Sequence, residues 1–161
     1  MVPQDFELRL ARDEDVPAIR RLVNAAYKEL ADMGLNYTAT YQDEDTTRER
    51  MSRGRTFVVE RDGEIIGTVL LTTRNLFTHR RTAYVSQLAI KPELKKLGLG
   101  RVLMDHCEEL ARAEGFEGVQ LDTAQPAVHL VNWYHRRGYT VVGETHWEGK
   151  TYDSFVFEKP L

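Results

Sequence analysis

The fold is decided by the stretch Leu88-Ala89-Ile90-Lys91-Pro92-Glu93-Leu94-Lys95-Lys96-Leu97-Gly98-Leu99-Gly100-Arg101, in the second half of a 161-residue chain. An apolar, strand-like pattern runs out at Ile90, and Pro92 prevents a paired central strand from continuing because proline has no N–H for the ladder. Gly98 and Gly100 then open an amphipathic helix. A strand that passes into a helix in this way is typical of sheets covered by helices.

The first turn of this helix favours an anion. Its backbone N–H groups have no intrahelical partner, and the helix dipole adds partial positive charge there. The two glycines carry no side chain that would hold a phosphate away from those N–H groups. Cationic side chains surround the same turn, at Lys91, Lys95, Lys96 and Arg101. The alternative is a simple tight turn, since the stretch lacks the Gly-Lys-Ser/Thr of a P-loop and has Leu103 where a dinucleotide fingerprint has its third glycine.

Apolar periodicity predicts further secondary structure on both sides of this stretch. It predicts strands over residues 6–10, 56–60, 65–73, 82–90, 118–122, 139–144 and 151–158. It predicts helices from an Asp13 N-cap to Gly34 and over residues 44–51, 98–114 and 127–137. We therefore expect one α/β domain spanning residues 1–161, with about seven strands in a mixed, mostly antiparallel sheet and about four helices.

Composition narrows the class of protein. Hydrophobic residues make up 42% and charged residues 29%, which is ordinary for a globular chain. The net charge of −3 argues against a nucleic-acid partner, which would favour a basic excess. A single cysteine, Cys107, fits a reducing, cytoplasmic setting and offers no metal knuckle. The absence of a signal-peptide pattern and of a long apolar run predicts no membrane partner.

Two blocks together resemble the GNAT-type N-acetyltransferases. Their signature is an apolar strand, a proline, then Arg/Gln-x-x-Gly-x-Gly/Ala, and here Lys95-x-x-Gly98-x-Gly100 follows Leu88, Ile90 and Pro92. The second block is Trp133-Tyr134-His135-Arg136-Arg137-Gly138-Tyr139, where the family has a helix ending in Tyr, three residues, then Gly and an aromatic. The element order matches the family's from residue 6 to residue 157. Val128 departs from it, standing where an asparagine often holds the pantetheine arm, with Asn132 as a candidate substitute.

The resemblance implies direct transfer from acetyl-CoA, a co-substrate, with no metal. It implies a sheet that splays between the strands 82–90 and 118–122, so that the pantetheine arm lies in the gap. The implied cofactor-binding residues are Leu88, Ala89 and Ile90 on the strand, Lys95, Lys96, Leu97, Gly98, Leu99, Gly100 and Arg101 around the pyrophosphate, and Asn132 and Tyr134 on the following helix.

For catalysis the resemblance implies that the Tyr134 hydroxyl protonates the departing thiolate; the alternative is a tyrosine that only packs in the core. The strand carries no carboxylate where many relatives have a glutamate. The general base is therefore Asp122 or a water chain, and the alternative for Asp122 is a capping or turn residue before Pro126.

The acceptor is expected to be a small-molecule primary amine. Aromatic residues (Tyr27, Tyr37, Tyr41, Trp147, Tyr152) and acidic residues (Asp32, Asp43, Glu44, Asp45, Glu148, Asp153) fall together with Met33 in the segments that form the family's acceptor site. They suit a cationic amine, or they are a solvated acidic loop beside core aromatics. Other open functions are a protein lysine or N-terminal acetyltransferase and a non-catalytic acyl-CoA sensor. A homodimer is a further expectation.

Overall fold

The computed structural model describes residues 5–161. Residues 1–4, which contribute to the expectation of no signal peptide, lie outside that range. The strands are β1 (Glu7–Leu10), β2 (Arg55–Arg61), β3 (Glu64–Thr73), β4 (Thr82–Ile90), β5 (Gly118–Ala124), β6 (Thr140–Thr145) and β7 (Ser154–Pro160). The α-helices of the described residues are α1 (Val16–Asp32), α2 (Glu44–Met51), α3 (Leu99–Ala113) and α4 (Val128–Arg136).

The strands form one sheet in the order β1-β2-β3-β4-β5-β7-β6. Every neighbouring pair is antiparallel except β4 with β5, which is parallel. The predicted class, an α/β fold with a mixed and mostly antiparallel sheet, is therefore confirmed.

Helices cover both faces of the sheet because side chains alternate along each strand. Val58 packs with Ile19 and Val23 of α1, whereas the next residue, Val59, packs with Leu103 of α3. All five side chains are at least nine-tenths buried. Burying such a side chain stabilises a fold by about 1.5–3 kcal/mol, so these two layers hold the sheet between them.

The sheet opens between β4 and β5, as predicted. Their pairing covers only Thr82↔Gly118, Ala83↔Val119 and Tyr84↔Gln120. Beyond this point β5 remains paired with β7 as far as Ala124↔Ser154. The rest of β4 therefore has no partner strand on the β5 side, and a wedge-shaped gap lies between the carboxyl ends of the two strands.

A β-bulge bends β4 beside this gap. Leu70 of β3 pairs with Ser86, but Thr68 pairs with Ala89, so Gln87 and Leu88 stand opposite a single residue of β3. Gln87 has a φ of 57°, in the left-handed region that side-chain-bearing residues rarely adopt. Bulges often re-aim a strand next to a functional site, and this one directs β4 along the edge of the gap.

The predicted N-cap at Asp13 is wrong. Residues Asp13–Asp15 form a 3-10 turn, and α1 begins only at Val16. The Asp15 carboxylate caps this 3-10 turn by accepting a hydrogen bond from the Arg12 N–H at 2.7 Å. Asp15 also receives the Arg9 guanidinium at 2.7 Å, a contact from β1 that local pattern does not reveal.

The last strand is shifted from its predicted bounds. It was expected over residues 151–158 and lies at Ser154–Pro160. A turn closed by the Lys150 N–H and the Trp147 carbonyl, at 3.1 Å, occupies the residues before it. The shift leaves Trp147 and Lys150 in the β6–β7 connection, beside the gap in the sheet.

Candidate active site

Two cavities adjoin the gap. We call the first the loop groove; it has a volume of about 330 Å³ and lies between β4, the start of α3, and helices α1 and α4. We call the second the aromatic pocket; it has a volume of about 560 Å³ and lies between β4, β5, α2 and the β6–β7 connection. Tyr134, Tyr27 and Leu88 line both cavities. These three side chains therefore mark the place where the cavities meet.

The floor of the loop groove is the turn that opens α3. Residues Pro92–Leu97 form a 3-10 turn, and Gly98 follows with a φ of 77°. Gly98 is the N-cap of α3, so the free N–H groups of the first helical turn face this region. A Cβ on Gly100 would lie 3.6 Å from the Trp133 ring and 4.0 Å from Ile90. A side chain at this position would pack against these two residues, so glycine keeps the backbone of the turn open to the groove.

The structure brings most of the predicted cofactor-binding residues to this groove. Leu88, Ala89, Ile90, Lys95, Gly98, Gly100, Arg101 and Tyr134 line it. Four others are placed elsewhere. Lys96 and Leu97 are exposed outside the lining, Leu99 is fully buried in the core, and Asn132 is exposed on α4.

A carboxylate that sequence reasoning missed spans the groove. Glu29 of α1 contacts Lys95 Nζ at 3.1 Å and His129 Nε2 at 3.0 Å. The Lys95 ammonium holds the pKa of Glu29 below its usual range. These three residues come from separate elements, so no spacing in the sequence indicates their meeting.

Tyr134 has both the core-packing role and an open hydroxyl. Its ring contacts Trp133, Tyr139 and Phe157, with centroids 5.1–6.0 Å apart. Within residues 5–161 the hydroxyl has no hydrogen-bond partner. Burial raises the pKa of Tyr134 well above its usual value. The hydroxyl therefore stays protonated and is free to donate to a ligand at the junction of the cavities.

Asp122 lies within β5, paired with Val156, and not at the strand's end. Its Oδ1 accepts the Tyr84 hydroxyl, and its Oδ2 accepts Trp147 Nε1 at 2.9 Å. The alternative of a capping or turn residue before Pro126 is therefore wrong. Burial and the neighbouring Asp122 charge raise the pKa of Tyr84, so this hydroxyl remains a donor.

The charge of the aromatic pocket differs from expectation. Tyr27, Tyr37, Trp147 and Tyr152 line it, but the acidic residues predicted beside them (Asp32, Asp43, Glu44, Asp45, Glu148 and Asp153) are exposed and outside it, as are Met33 and Tyr41. Its charged lining is Arg50, Arg53, Arg74 and Lys150 against Asp122. An acidic pocket for a cationic amine is therefore wrong, and the alternative of a solvated acidic loop agrees with the structure.

Across residues 5–161, His, Cys, Asp and Glu side chains do not gather in threes in a way that would hold a metal ion. None of the helices in that same range has the length and apolar character needed to cross a bilayer.

Comparison with known proteins gives concordant matches. A family model described as the acetyltransferase (GNAT) family matches residues 17–139. The chain is 27% identical over 150 residues to an S-alkylcysteine N-acetyltransferase of Bacillus subtilis (strain 168), covering 90% of this chain and 84% of that protein. It is 28% identical over 142 residues to an S-(2-succino)cysteine N-acetyltransferase of the same organism, covering 84% and 85%. The crystal structure of a GNAT family acetyltransferase from Elizabethkingia anophelis, with acetyl-CoA bound, shares the fold at a TM-score of 0.72 and 13% identity, over 99% of this chain and 100% of that one.

Proposed function

Since this chain belongs to the acetyltransferase (GNAT) family, we propose that this acyltransferase moves the acetyl group of acetyl-CoA directly to the primary amine of a small molecule. The observation that carries the proposal is the position of Tyr134, whose side chain lines both cavities. A donor and an acceptor bound in the two cavities would meet beside its hydroxyl.

The loop groove fits the phosphate end and the arm of acetyl-CoA. The free N–H groups at the start of α3, together with Lys95 and Arg101, would hold the pyrophosphate. The β4 edge at Leu88–Ile90, unpaired on its β5 side, would accept the amide-containing arm as an added strand. Glu29 must release or share Lys95 when the phosphates bind, since the two now form an ion pair.

The chemistry needs one proton to pass from the amine nitrogen to the sulfur. The amine attacks the acetyl carbonyl carbon, and the carbon–sulfur bond breaks as the thiolate leaves. The Tyr134 hydroxyl donates a proton to the sulfur, and the tyrosinate regains a proton from solvent while the amine proton leaves through Asp122, which closes the cycle. Asp122 receives the amine proton, directly or through water, because a carboxylate has about four lone-pair sites and only two hydrogen-bond donors occupy it here.

Contacts between the segments around the aromatic pocket favour a small acceptor over a peptide. The Asn36 side chain donates to the Gly149 carbonyl at 2.9 Å and accepts from the Thr151 N–H at 2.8 Å. The segment after α1 and the β6–β7 connection are therefore joined to each other on one side of the pocket. This contact narrows the space in which an extended peptide could lie between the two segments.

An acceptor screen with acetyl-CoA tests the proposal. The panel contains S-substituted cysteines, which the relatives' names indicate, along with polyamines, lysine peptides and simple alkyl amines. Release of free thiol and the mass of the acetylated product are both measured. We expect thiol release in equal amount to N-acetylated small molecule. Binding of acetyl-CoA without acetylation of any amine would instead support a non-catalytic sensor.

A further inference from the structure

An arginine without an acidic partner lines the aromatic pocket. Arg50 of α2 is half-buried, and its contact among residues 5–161 is a long one, from Nη1 to Gln42 Oε1 at 3.5 Å. Burial, followed by the neighbouring Arg53, lowers the pKa of Arg50, against the smaller opposing effects of the Glu49 and Asp122 charges. A guanidinium removed from water is normally paired with a carboxylate or phosphate.

Arg74 also lines the pocket, but unlike Arg50 it is exposed to solvent. Its guanidinium lies over the rings of Tyr84 and Trp147, at 5.3 Å and 5.0 Å from the centroids. These are the two side chains that hold Asp122. Both rings attract the positive charge of the guanidinium, and no carboxylate within residues 5–161 forms an ion pair with it.

The other two cations of the pocket are already engaged. Arg53 forms an ion pair with Glu49 at 2.9 Å. Lys150 donates to the Asn36 carbonyl at 3.1 Å and to Thr38 Oγ1 at 2.8 Å. Arg50 and Arg74 are thus the arginines of the described lining that form no ion pair.

We propose that the acceptor carries a carboxylate which Arg50 binds, with Arg74 adding positive charge, so that amino acids rather than plain amines are the substrates. This inference rests on the proposed acetyl transfer. Asp122 then faces the amine end of the acceptor, and the guanidinium fork of Arg50 takes both oxygens of its carboxylate. The amine of an amino acid thus meets the Asp122 carboxylate and its carboxylate meets the Arg50 guanidinium. These two contacts orient the acceptor with its amine toward Tyr134.

The test compares acceptors that differ only in the carboxylate. S-benzylcysteine is compared with its carboxamide and with 2-(benzylthio)ethylamine, which lacks the group altogether. Since a hydrogen bond to a charged group is worth about 10- to 100-fold in an equilibrium constant, we expect kcat/KM to fall by that factor for both analogues, mainly through KM. Equal kcat/KM for the three acceptors would overturn the inference while leaving acetyl transfer intact.

Variants assign the effect to Arg50. Arg50→Met keeps the length of the stem and should lower kcat/KM for S-benzylcysteine by about 10- to 100-fold, with little change for the carboxamide. Arg50→Lys should restore part of the loss. Arg48→Met is the matched control with a small effect, since Arg48 lies on the same helix but is exposed and outside the pocket. An equal loss for both acceptors would contradict a role in reading the carboxylate.

Carboxylate recognition by the same site can also be measured as binding, without turnover. Calorimetry in the presence of CoA compares the product N-acetyl-S-benzylcysteine with its carboxamide on the wild-type protein. The carboxylate should bind about 10- to 100-fold tighter. Equal binding, or binding of neither compound, refutes the inference whether or not an acceptor is acetylated.

Discussion

Gly98→Asp is the substitution that most sharply tests the loop groove as a phosphate site. A Cβ at residue 98 would lie 3.7 Å from Arg101 Nη2 and meet no other atom within 4 Å, so the new side chain has room. Its carboxylate would add a negative charge beside the free N–H groups of the first turn, and we take about 5 Å as a contact-scale separation from a phosphate held there. Two like unit charges at this distance repel by about 3 kcal/mol at an effective dielectric constant of about 20, which weakens binding by about 100-fold.

The matched control is Gly98→Asn. The φ of 77° strains any side chain at this position, and asparagine tolerates the left-handed region with the same shape as aspartate but no charge. Calorimetry should give a Kd for CoA that is about 100-fold weaker in the Asp variant than in the Asn variant at low salt, and this ratio should shrink as salt is added. Equal Kd values for the two variants would refute the assignment of phosphate to this turn.

Three further predictions concern stability and pH. The Arg9 guanidinium lowers the pKa of Asp15 in the folded protein. The ion pair therefore stabilises the fold at pH values above about 3.9, the pKa of an aspartate in an unfolded chain, and this stabilisation is lost as the pH falls below that value. Asp15→Asn should therefore reduce the free energy of unfolding in urea by about 2 kcal/mol at pH 7, with a smaller difference at pH 3. In Gly54→Ala the new Cβ would lie 2.2 Å from the Leu71 carbonyl oxygen, and a loss of about 1–3 kcal/mol in the same assay is expected; an unchanged midpoint would contradict that contact. Because burial raises the pKa of Tyr134, kcat at saturation should not fall up to about pH 10, where an ordinary tyrosine is half ionised.

The strands and helices could be predicted from the sequence where a local residue pattern determines them. The alternation in β4 and the two glycines at residues 98 and 100 mark a strand, a turn and a helix, and the structure has all three. The splay between β4 and β5 came from the resemblance, not from periodicity. The bulge at Gln87 was missed because nothing in its side chain requires a positive φ.

The site was readable only in part because its contacts are long-range. Tyr84 and Trp147 bond to Asp122 across 38 and 25 positions of the chain, and no spacing rule brings them together. Arg50 lies on a short polar helix whose pattern does not distinguish its buried side from its solvated side. The sign of the pocket's charge was therefore misjudged from nearby acidic residues that point into solvent.

The most direct test of the central claim is the turnover number of Tyr134→Phe, measured beside its affinity for acetyl-CoA. The hydroxyl has no protein partner within residues 5–161, so its loss leaves no buried group unpaired, and folding and the Kd for acetyl-CoA should stay close to wild type. If the hydroxyl donates the proton to the departing sulfur, kcat falls by about 10²- to 10⁴-fold. A variant that binds acetyl-CoA normally and turns over at the wild-type rate would contradict the account.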